Sequence, residues 1–444
     1  MPESRRVLHV SSADRLGGAE AIALALHRAA LDRGDDSWLA VGTRHHDDAR
    51  TLEIPNDAAR PLRARVARRV ADALPTTLAP LARALRGRVG EPARARAIAA
   101  GAEDFEFPAT ARLLELPPRP PALLHLHNLH GGYFDLRELP ALTARVPTVI
   151  TLHDAWLLAG HCAHSFACER WRTGCGSCPH LDIYPAIPVD GSAANWERKR
   201  DLLARSRLSV GVPCEWLAAR VRASIVAPAV RELRVIPHGV DLATFSPAVD
   251  RAALRARHHL RGPVVLVPVA AFARPSWQDA TLWAAVHRAL PATVTVVALG
   301  SVPPGVLLPP GVRSTGALHD PREVADWFRM ADVYAHPTRA DTFATQILES
   351  LACGTPVVAT AVGGVPEQVR EWDGLDGGGH VVAAGDAAAF TTALRARLEA
   401  DDAEASALRR AAAADAQSRF DVRRMISAYS AWWDAVIDAA RGQG

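Results

Sequence analysis

The sequence predicts an α/β protein of two open parallel-sheet domains, and three observations carry that prediction. The chain has 444 residues, too many for one hydrophobic core and suited to two domains of about 150–220 residues each. Short apolar strands alternate with helical stretches in both halves, the pattern of βαβ units. Polar and glycine residues gather where those strands end, which is where an open parallel sheet presents groups to a ligand.

The elements follow in order. Val7-Leu8-His9-Val10 reads as a first strand ending in Ser11-Ser12, followed by a loop with Gly17-Gly18, a helix over Ala19–Ala30, and a strand over Ser37–Val41. Ala122–His127 is a further strand, with Asn128, His130, Gly131 and Gly132 at its end. Thr148–Leu152 is another, ending at His153-Asp154, and Ser209–Pro213 and Arg234–Pro237 are two more. His238–Pro247 reads as an interdomain linker. A second set begins at Val264–Val269 and continues with Val294–Leu299, Val333–His336 and Pro356–Ala359. Phe420–Arg441 is a final amphipathic helix carrying Tyr429, Trp432 and Trp433. The expected division is an N-terminal domain over 1–240, with a basic insertion at 55–120 and a Cys-rich loop at 160–182, completed by 425–444; the second domain is 241–424. No tandem repeat is present.

Residues 60–97 hold ten Arg and only two acidic residues, Asp72 and Glu91, spaced among Leu, Val and Ala at helical intervals. A basic amphipathic helix can lie on an anionic membrane, but aromatic anchors are missing, which favours a solvated helical insertion. Net charge is only +3, with fifty Arg against the single Lys199, so bulk electrostatics give no case for a nucleic-acid partner. No secretion signal is visible, because Met1–Arg6 leads into only the short run Val7-Leu8-His9-Val10 before Ser11-Ser12. No apolar run reaches the roughly 18 residues of a membrane span. The expectation is a cytoplasmic protein whose six cysteines are reduced, metal-bound or catalytic rather than paired in disulfides. Homo-oligomerisation is left open.

Residues 331–367 carry the most chemical information. Asp341 and Glu349 have seven residues between them, a little over two helical turns, which places both on neighbouring parts of one helix face or its leading edge. Thr342-Phe343-Ala344-Thr345 is small and polar enough to open a helix at Asp341 or Thr342. A helix start offers unpaired N–H groups and a positive dipole end, which suit a phosphate. Ala352-Cys353-Gly354-Thr355-Pro356 then forms a stop and turn, followed by an apolar strand and a second turn at Gly363-Gly364.

This ordered string strongly resembles the nucleotide-sugar site of retaining glycosyltransferases of family 4, which have the GT-B fold. The family pattern is a Glu, seven residues, a second Glu, an Ala-Cys-Gly-x-Pro-Val-Val run and a Gly-Gly-x-Pro-Glu turn. The resemblance implies two Rossmann-like domains facing a cleft, with the C-terminal helix crossing back to the N-domain. It implies a UDP- or GDP-linked sugar as donor, while a small-molecule acceptor is favoured over a surface-polysaccharide one by the shorter Asp341 and the missing Lys rather than by the resemblance. Glu349 is expected to accept hydrogen bonds from the ribose hydroxyls and Asp341 to contact the transferred sugar, with Thr342, Phe343, Ala344 and Thr345 at the phosphates. Gly17 and Gly18 resemble the family's glycine loop, which touches phosphate and acceptor. His153, in the string Thr-Leu-His-Asp, is expected beside the donor sugar, stabilising developing oxocarbenium charge, with His130 and Asp154 on the acceptor side. Arg274 is the candidate diphosphate clamp and Arg339 its assistant. Two departures stand out. Asp341 replaces the usual Glu, and the family's Lys is absent from Ala271–Asp279. No Asp-x-Asp pair in a suitable loop points to a catalytic divalent metal.

Cys162, Cys168, Cys175 and Cys178 fall close together around a Cys-Gly-Ser-Cys knuckle, a spacing read as a structural zinc site. A similar block occurs in a subset of family 4 enzymes from exopolysaccharide pathways. Cys214 and Cys353 read as small buried fillers.

The sequence therefore points to a retaining glycosyltransferase with a small-molecule acceptor, of an antibiotic-pathway kind and O- or S-linked. The alternatives are a surface-polysaccharide glycosyltransferase with a lipid-linked acceptor, a GT-B sugar-nucleotide epimerase or phosphorylase, and a non-catalytic nucleotide-sugar sensor.

Overall fold

The structure is a computed structural model that describes residues 4–15, 17–273, 277–371 and 377–442. It divides into two compact units. The first comprises 1–212, 217–235 and 428–444, and the second 213–216 and 236–427.

The first unit is built on a seven-stranded parallel sheet. Its strands are β1 (Arg6–Ala13), β2 (Asp36–Thr43), β3 (Thr51–Glu53), β4 (Leu123–Leu126), β5 (Thr148–Thr151), β6 (Leu208–Val212) and β7 (Val230–Val235), in the order β3-β2-β1-β4-β5-β6-β7. The second unit carries a six-stranded parallel sheet of β8 (Val264–Pro268), β9 (Thr295–Leu299), β10 (Arg313–Ser314), β11 (Val333–His336), β12 (Val357–Thr360) and β13 (Gly379–Val382), ordered β10-β9-β8-β11-β12-β13. In both sheets the order reverses beside the first strand, the switch point at which α/β sheets bind ligands. The α/β architecture expected from the strand–helix alternation is thus present in both units.

Three strands, β3, β10 and β13, were absent from the sequence reading. Each is short and lies at an edge of its sheet. Edge strands are covered on fewer sides, so they lack the continuous apolar run that marks the central strands. The central strands β4, β5, β6, β8, β11 and β12 are buried along their whole lengths.

The helix Val422–Arg441 begins in the second unit and ends in the first. Within the first unit it buries Tyr429, Trp432 and Trp433. Tyr429 accepts a hydrogen bond from Thr151 Oγ1 at 2.9 Å, and Trp432 Nε1 donates to Glu232 at 2.6 Å. Gly211 in β6 is what admits these rings, since a Cβ there would meet the Tyr429 hydroxyl at 2.9 Å and the Trp432 ring at 3.2 Å.

Beneath this helix the core of the first sheet is unusually rich in imidazole. His9 and His125 are register partners on β1 and β4, and Trp433 stands edge-on to both rings at 5.3 and 5.6 Å. His27 closes the group from the helix Gly18–Asp32, with Nδ1 2.8 Å from Ser37 Oγ. Burial, aided for His9 by His27 and His127 and for His125 by His9 and His153, holds both imidazoles well below their ordinary pKa. Burial brings His27 down to about 4. An imidazole that ionises less readily folded than unfolded contributes stability above its unfolded pKa and loses it as pH falls toward the folded one. The window for His27 therefore runs from 6.5 down to about 4, and at about 1.4 kcal/mol per pH unit His27 alone contributes about 3 kcal/mol. Thermal unfolding followed by circular dichroism is expected to show a midpoint falling steadily across that window, with a shallower slope in His27→Gln. Equal midpoints at the two ends would show that these rings are not held neutral.

Candidate functional site

The second unit assembles its site from the C-terminal ends of β11 and β12. After His336 the chain passes through Thr338, Arg339 and Ala340 to Asp341, and the helix Thr345–Ala352 follows with Ala344 as its N-cap. The helix does not open at Asp341 or Thr342 as the sequence suggested. The small polar residues form a loop, and the side chain that holds the helix start comes from another segment. Gln368 accepts from the Ala344 N–H at 2.9 Å and donates to its carbonyl at 2.8 Å. Asp341 consequently stands ahead of the helix, while Glu349 lies on it.

Gly363 and Gly364 fix this loop. Gly363 has φ of +55°, the left-handed region that favours glycine. A Cβ on Gly363 would overlap the Asp341 carbonyl, and one on Gly364 would overlap that of Thr342. The Gly364 N–H donates to the Thr342 carbonyl at 3.1 Å. The glycine turn therefore serves as a close-packed support for Asp341 and Thr342 in the loop ahead of the helix. The turn's Glu367 accepts from the backbone N–H groups of Glu215 and Trp216 at 2.7 and 2.8 Å.

The two carboxylates differ sharply. Asp341 Oδ2 lies 3.2 Å from His336 Nε2, and a chain runs on from His336 Nδ1 to the Tyr334 hydroxyl at 3.1 Å and from there to Gln346 at 2.8 Å. This orienting chain was missed by the sequence reading. Its signal is the placement of Tyr334 and His336 two residues apart on one strand, hence on one face. Glu349 is half-buried, and burial raises its carboxyl from 4.5 to about 7. Both carboxylates lie near enough to Tyr334 to raise its phenol further above the range set by burial. Phe343 and Ala344 are buried and Thr345 is half-buried, while Arg339 is exposed on the loop. Arg274 lies outside the described residues.

The first unit gathers its candidates at the C-terminal ends of β1, β4 and β5. Gly17 caps the helix Gly18–Asp32. The Glu20 carboxylate from the first turn folds back beside Gly17 and accepts from Ser12 Oγ. That helix start thus carries an acidic side chain of its own. His153 Nε2 lies 3.1 Å from His127 Nδ1, with the rings stacked at 5.4 Å. His130 Nε2 meets Asp154 Oδ2 at 2.6 Å and its Nδ1 lies 3.3 Å from the Tyr184 hydroxyl. Burial lowers the His130 pKa, but the Asp154 charge and hydrogen bond outweigh it, so the net shift is upward.

His130 opens on a cavity of about 180 Å³ lined also by Gly131, Gly132, Trp156, Ile98 and Phe105. Under its Trp156 wall lies Lys199, fully buried, with Nζ 3.9 Å from the ring centre, 2.8 Å from Glu103 Oε2, and 3.0 and 2.9 Å from the Trp156 and Ala159 carbonyls. The sequence marked Lys199 only as the sole lysine.

The four loop cysteines, Cys162, Cys168, Cys175 and Cys178, are half-buried thiols outside any disulfide. Among the described residues, His9, His125 and His127 form the group whose ligand atoms come within 4.8 Å of one another, and no such group includes a cysteine. His161 Nε2 lies 3.4 Å from Cys178 Sγ and the Gly160 N–H points at Cys175 Sγ from 3.3 Å. Burial, with the nearby Cys175 next, pushes the Cys162 thiol up to about 12. Cys214 and Cys353 are buried thiols outside any disulfide, as expected of fillers.

Residues 265–400 match the family described as Glycosyl transferases group 1, and that stretch contains Asp341, Glu349 and the glycine turn. A putative colanic acid biosynthesis glycosyl transferase, WcaC, of Escherichia coli K12 is 28% identical over 253 residues, covering 54% of this chain and 60% of that protein. A D-inositol 3-phosphate glycosyltransferase of Xylanimonas cellulosilytica is 38% identical over 205 residues, covering 42% and 47%. The chain thus spans about half the length of these curated relatives. Among solved structures, sucrose-phosphate synthase from Thermosynechococcus elongatus superposes with a TM-score of 0.67 at 17% identity, covering 98% of this chain and all of that one. Anabaena HepE in complex with UDP-glucose superposes with a TM-score of 0.60 at 17% identity, covering 97% and 99%. The fold is the two-domain α/β fold of GT-B glycosyltransferases.

Proposed function

We propose that this protein is a retaining glycosyltransferase that moves a sugar from a nucleoside-diphosphate sugar to a small-molecule acceptor. The observation that carries the reading is Glu349, a half-buried carboxylate within the matched segment, raised to about 7 by burial. A carboxylate held at that cost suits paired hydroxyl donors such as those of a ribose. Asp341, oriented by His336, takes the sugar. The start of the helix Thr345–Ala352 and the exposed Arg339 meet the diphosphate. His153 supports charge developing at the anomeric carbon, and the leaving phosphate takes the acceptor proton. The His130–Asp154 pair walls the acceptor side. HepE binds UDP-glucose, and the D-inositol 3-phosphate relative's name supports a small polar acceptor. The name of the colanic acid relative supports a second reading, a surface-polysaccharide acceptor.

Thermal-shift titration with UDP-, GDP- and dTDP-sugars tests the donor half. Wild type is expected to be stabilised by one nucleotide class and Glu349→Gln to bind it at least about tenfold more weakly, the scale of a lost hydrogen bond to a charged group. Ribose hydroxyls donate to the ionised carboxylate, so binding drives off its proton. Affinity should therefore rise with pH up to about 7 and level off above, by at most about tenfold per pH unit, while the Gln variant shows no such slope. Turnover that needs no acceptor would instead favour an epimerase.

A further inference from the structure

The Arg-rich insertion is inside out. The helix Leu62–Asp72 buries Ala64, Ala67 and Ala71, and its large aliphatic side chains face outward, with Leu62, Val66 and Val70 at 72, 50 and 49% exposure. The reason is steric. The turn at Gly90 packs so close that a Cβ there would sit 3.1 Å from the Ala67 methyl and 3.4 Å from the Ala64 backbone, so only alanine fits the inward stripe. Leu62, Val66 and Val70 recur every four residues and form one stripe on the opposite side. By the same helical geometry Arg63 flanks the stripe on one side and Arg65 and Arg69 on the other.

The rest of the insertion repeats the pattern. Of the ten large hydrophobic side chains exposed among the described residues, six lie in it: Leu62, Val66, Val70, Leu78, Leu81 and Val89. The two acidic residues of 60–97 are already engaged, Glu91 with Arg60, Arg68 and Arg94, and Asp72 with Arg86. Arg63, Arg65, Arg69, Arg83, Arg88 and Arg96 make no ion pair among the described residues. An aliphatic stripe rimmed by long cationic side chains matches the acyl–headgroup boundary of an anionic bilayer, into which the methylene stems pack while the guanidinium groups reach the phosphates. A protein-binding hot spot of this size would ordinarily present aromatic anchors, and this face has none. The helix has 11 residues, enough to lie in the interface and too few to span it.

We infer that the outward face of Leu62–Asp72, with its neighbouring arginines, docks the protein on an anionic phospholipid surface. The insertion's last helix, Pro92–Ala99, ends at Ile98 in the wall of the His130 cavity. Docking would therefore hold that cavity near the bilayer. The inference stands apart from the donor reading, and its failure would leave nucleotide binding untouched.

The test is co-sedimentation of the full chain with vesicles of phosphatidylcholine alone or with about a third phosphatidylglycerol at ~0.15 M salt. Wild type is expected to need at least about tenfold less anionic than neutral lipid for half-binding. The variants Leu62→Asn/Val66→Asn/Val70→Asn and Arg63→Ser/Arg65→Ser/Arg69→Ser should each raise the lipid requirement by about tenfold or more. Both keep the wild-type unfolding midpoint and donor-induced thermal shift, because every replaced side chain points away from the buried alanines. Equal binding to neutral and anionic vesicles, or variants that pellet like wild type, overturns the inference. A wild-type dimer that the aliphatic variant disperses overturns it too, and reassigns the stripe to a second copy of the chain.

Discussion

Lys199→Met is expected to destabilise the first unit by about 3–5 kcal/mol, the scale of breaking one half of a buried ion pair. Lys199 is 0% exposed. Burial lowers its pKa while Glu103 works against that shift, so the ammonium persists because Glu103 and two carbonyls surround it. Methionine fills similar volume but leaves the Glu103 carboxylate facing the Trp156 indole N–H alone, at 2.5 Å, with the Trp156 and Ala159 carbonyls stripped of a donor. The double replacement Lys199→Met/Glu103→Gln removes both charges and should recover a large part of the loss, since no buried ion is then left without its partner. Urea unfolding followed by tryptophan fluorescence reads both, Trp156 being the reporter in contact. A single variant within about 1 kcal/mol of wild type would mean that water reaches this pair. Trp156 also stands edge-on to His130 at 5.4 Å, so the single variant should disturb the His130 cavity as well.

His153→Ala should lower kcat by about 10²–10³-fold, the range seen when one preorganised group is removed from beside developing charge, with nucleotide binding unchanged. His153 is placed for such a role by two features. It follows the C-terminal end of β5, and its Nε2 lies 3.1 Å from His127 Nδ1, a contact that sets the ring plane. Single-turnover kinetics beside a nucleotide titration separates the two effects. Turnover within about threefold of wild type, under 1 kcal/mol of barrier, would remove His153 from the chemistry.

What the sequence revealed and what it hid follow from how local each signal is. The central strands were legible because parallel strands buried on both faces are continuous apolar runs, as in Val264–Val267 and Val333–Ala335. Asp341, Glu349 and Gly363-Gly364 were legible as one ordered string. That the glycines press on the loop bearing Asp341 was not, because their contact joins two separate turns. The Gln368 clamp on Ala344 moved the helix start for the same reason. His9 and His125 meet only through the pairing of β1 with β4, and His27 joins them from a helix, so no local pattern announces the group. In 60–97 the periodicity announced an amphipathic helix, but periodicity does not say which stripe faces inward. Alanine won that place because Gly90 left room for nothing larger. The cysteine spacing suggested a tetrahedral metal site, and spacing alone does not fix where four sulfurs point.

The helix Val422–Arg441 has a consequence for how the chain is made. Residues 428–444 belong to the first unit, yet the ribosome makes them only after the second unit. Until Tyr429, Trp432 and Trp433 emerge, a nascent first sheet has Gly211 and its imidazoles open to water, and the whole second unit is synthesised in the interval. A fragment ending at Val235 should accordingly be insoluble or chaperone-bound, and a synthetic peptide of 422–442 supplied in trans should rescue it.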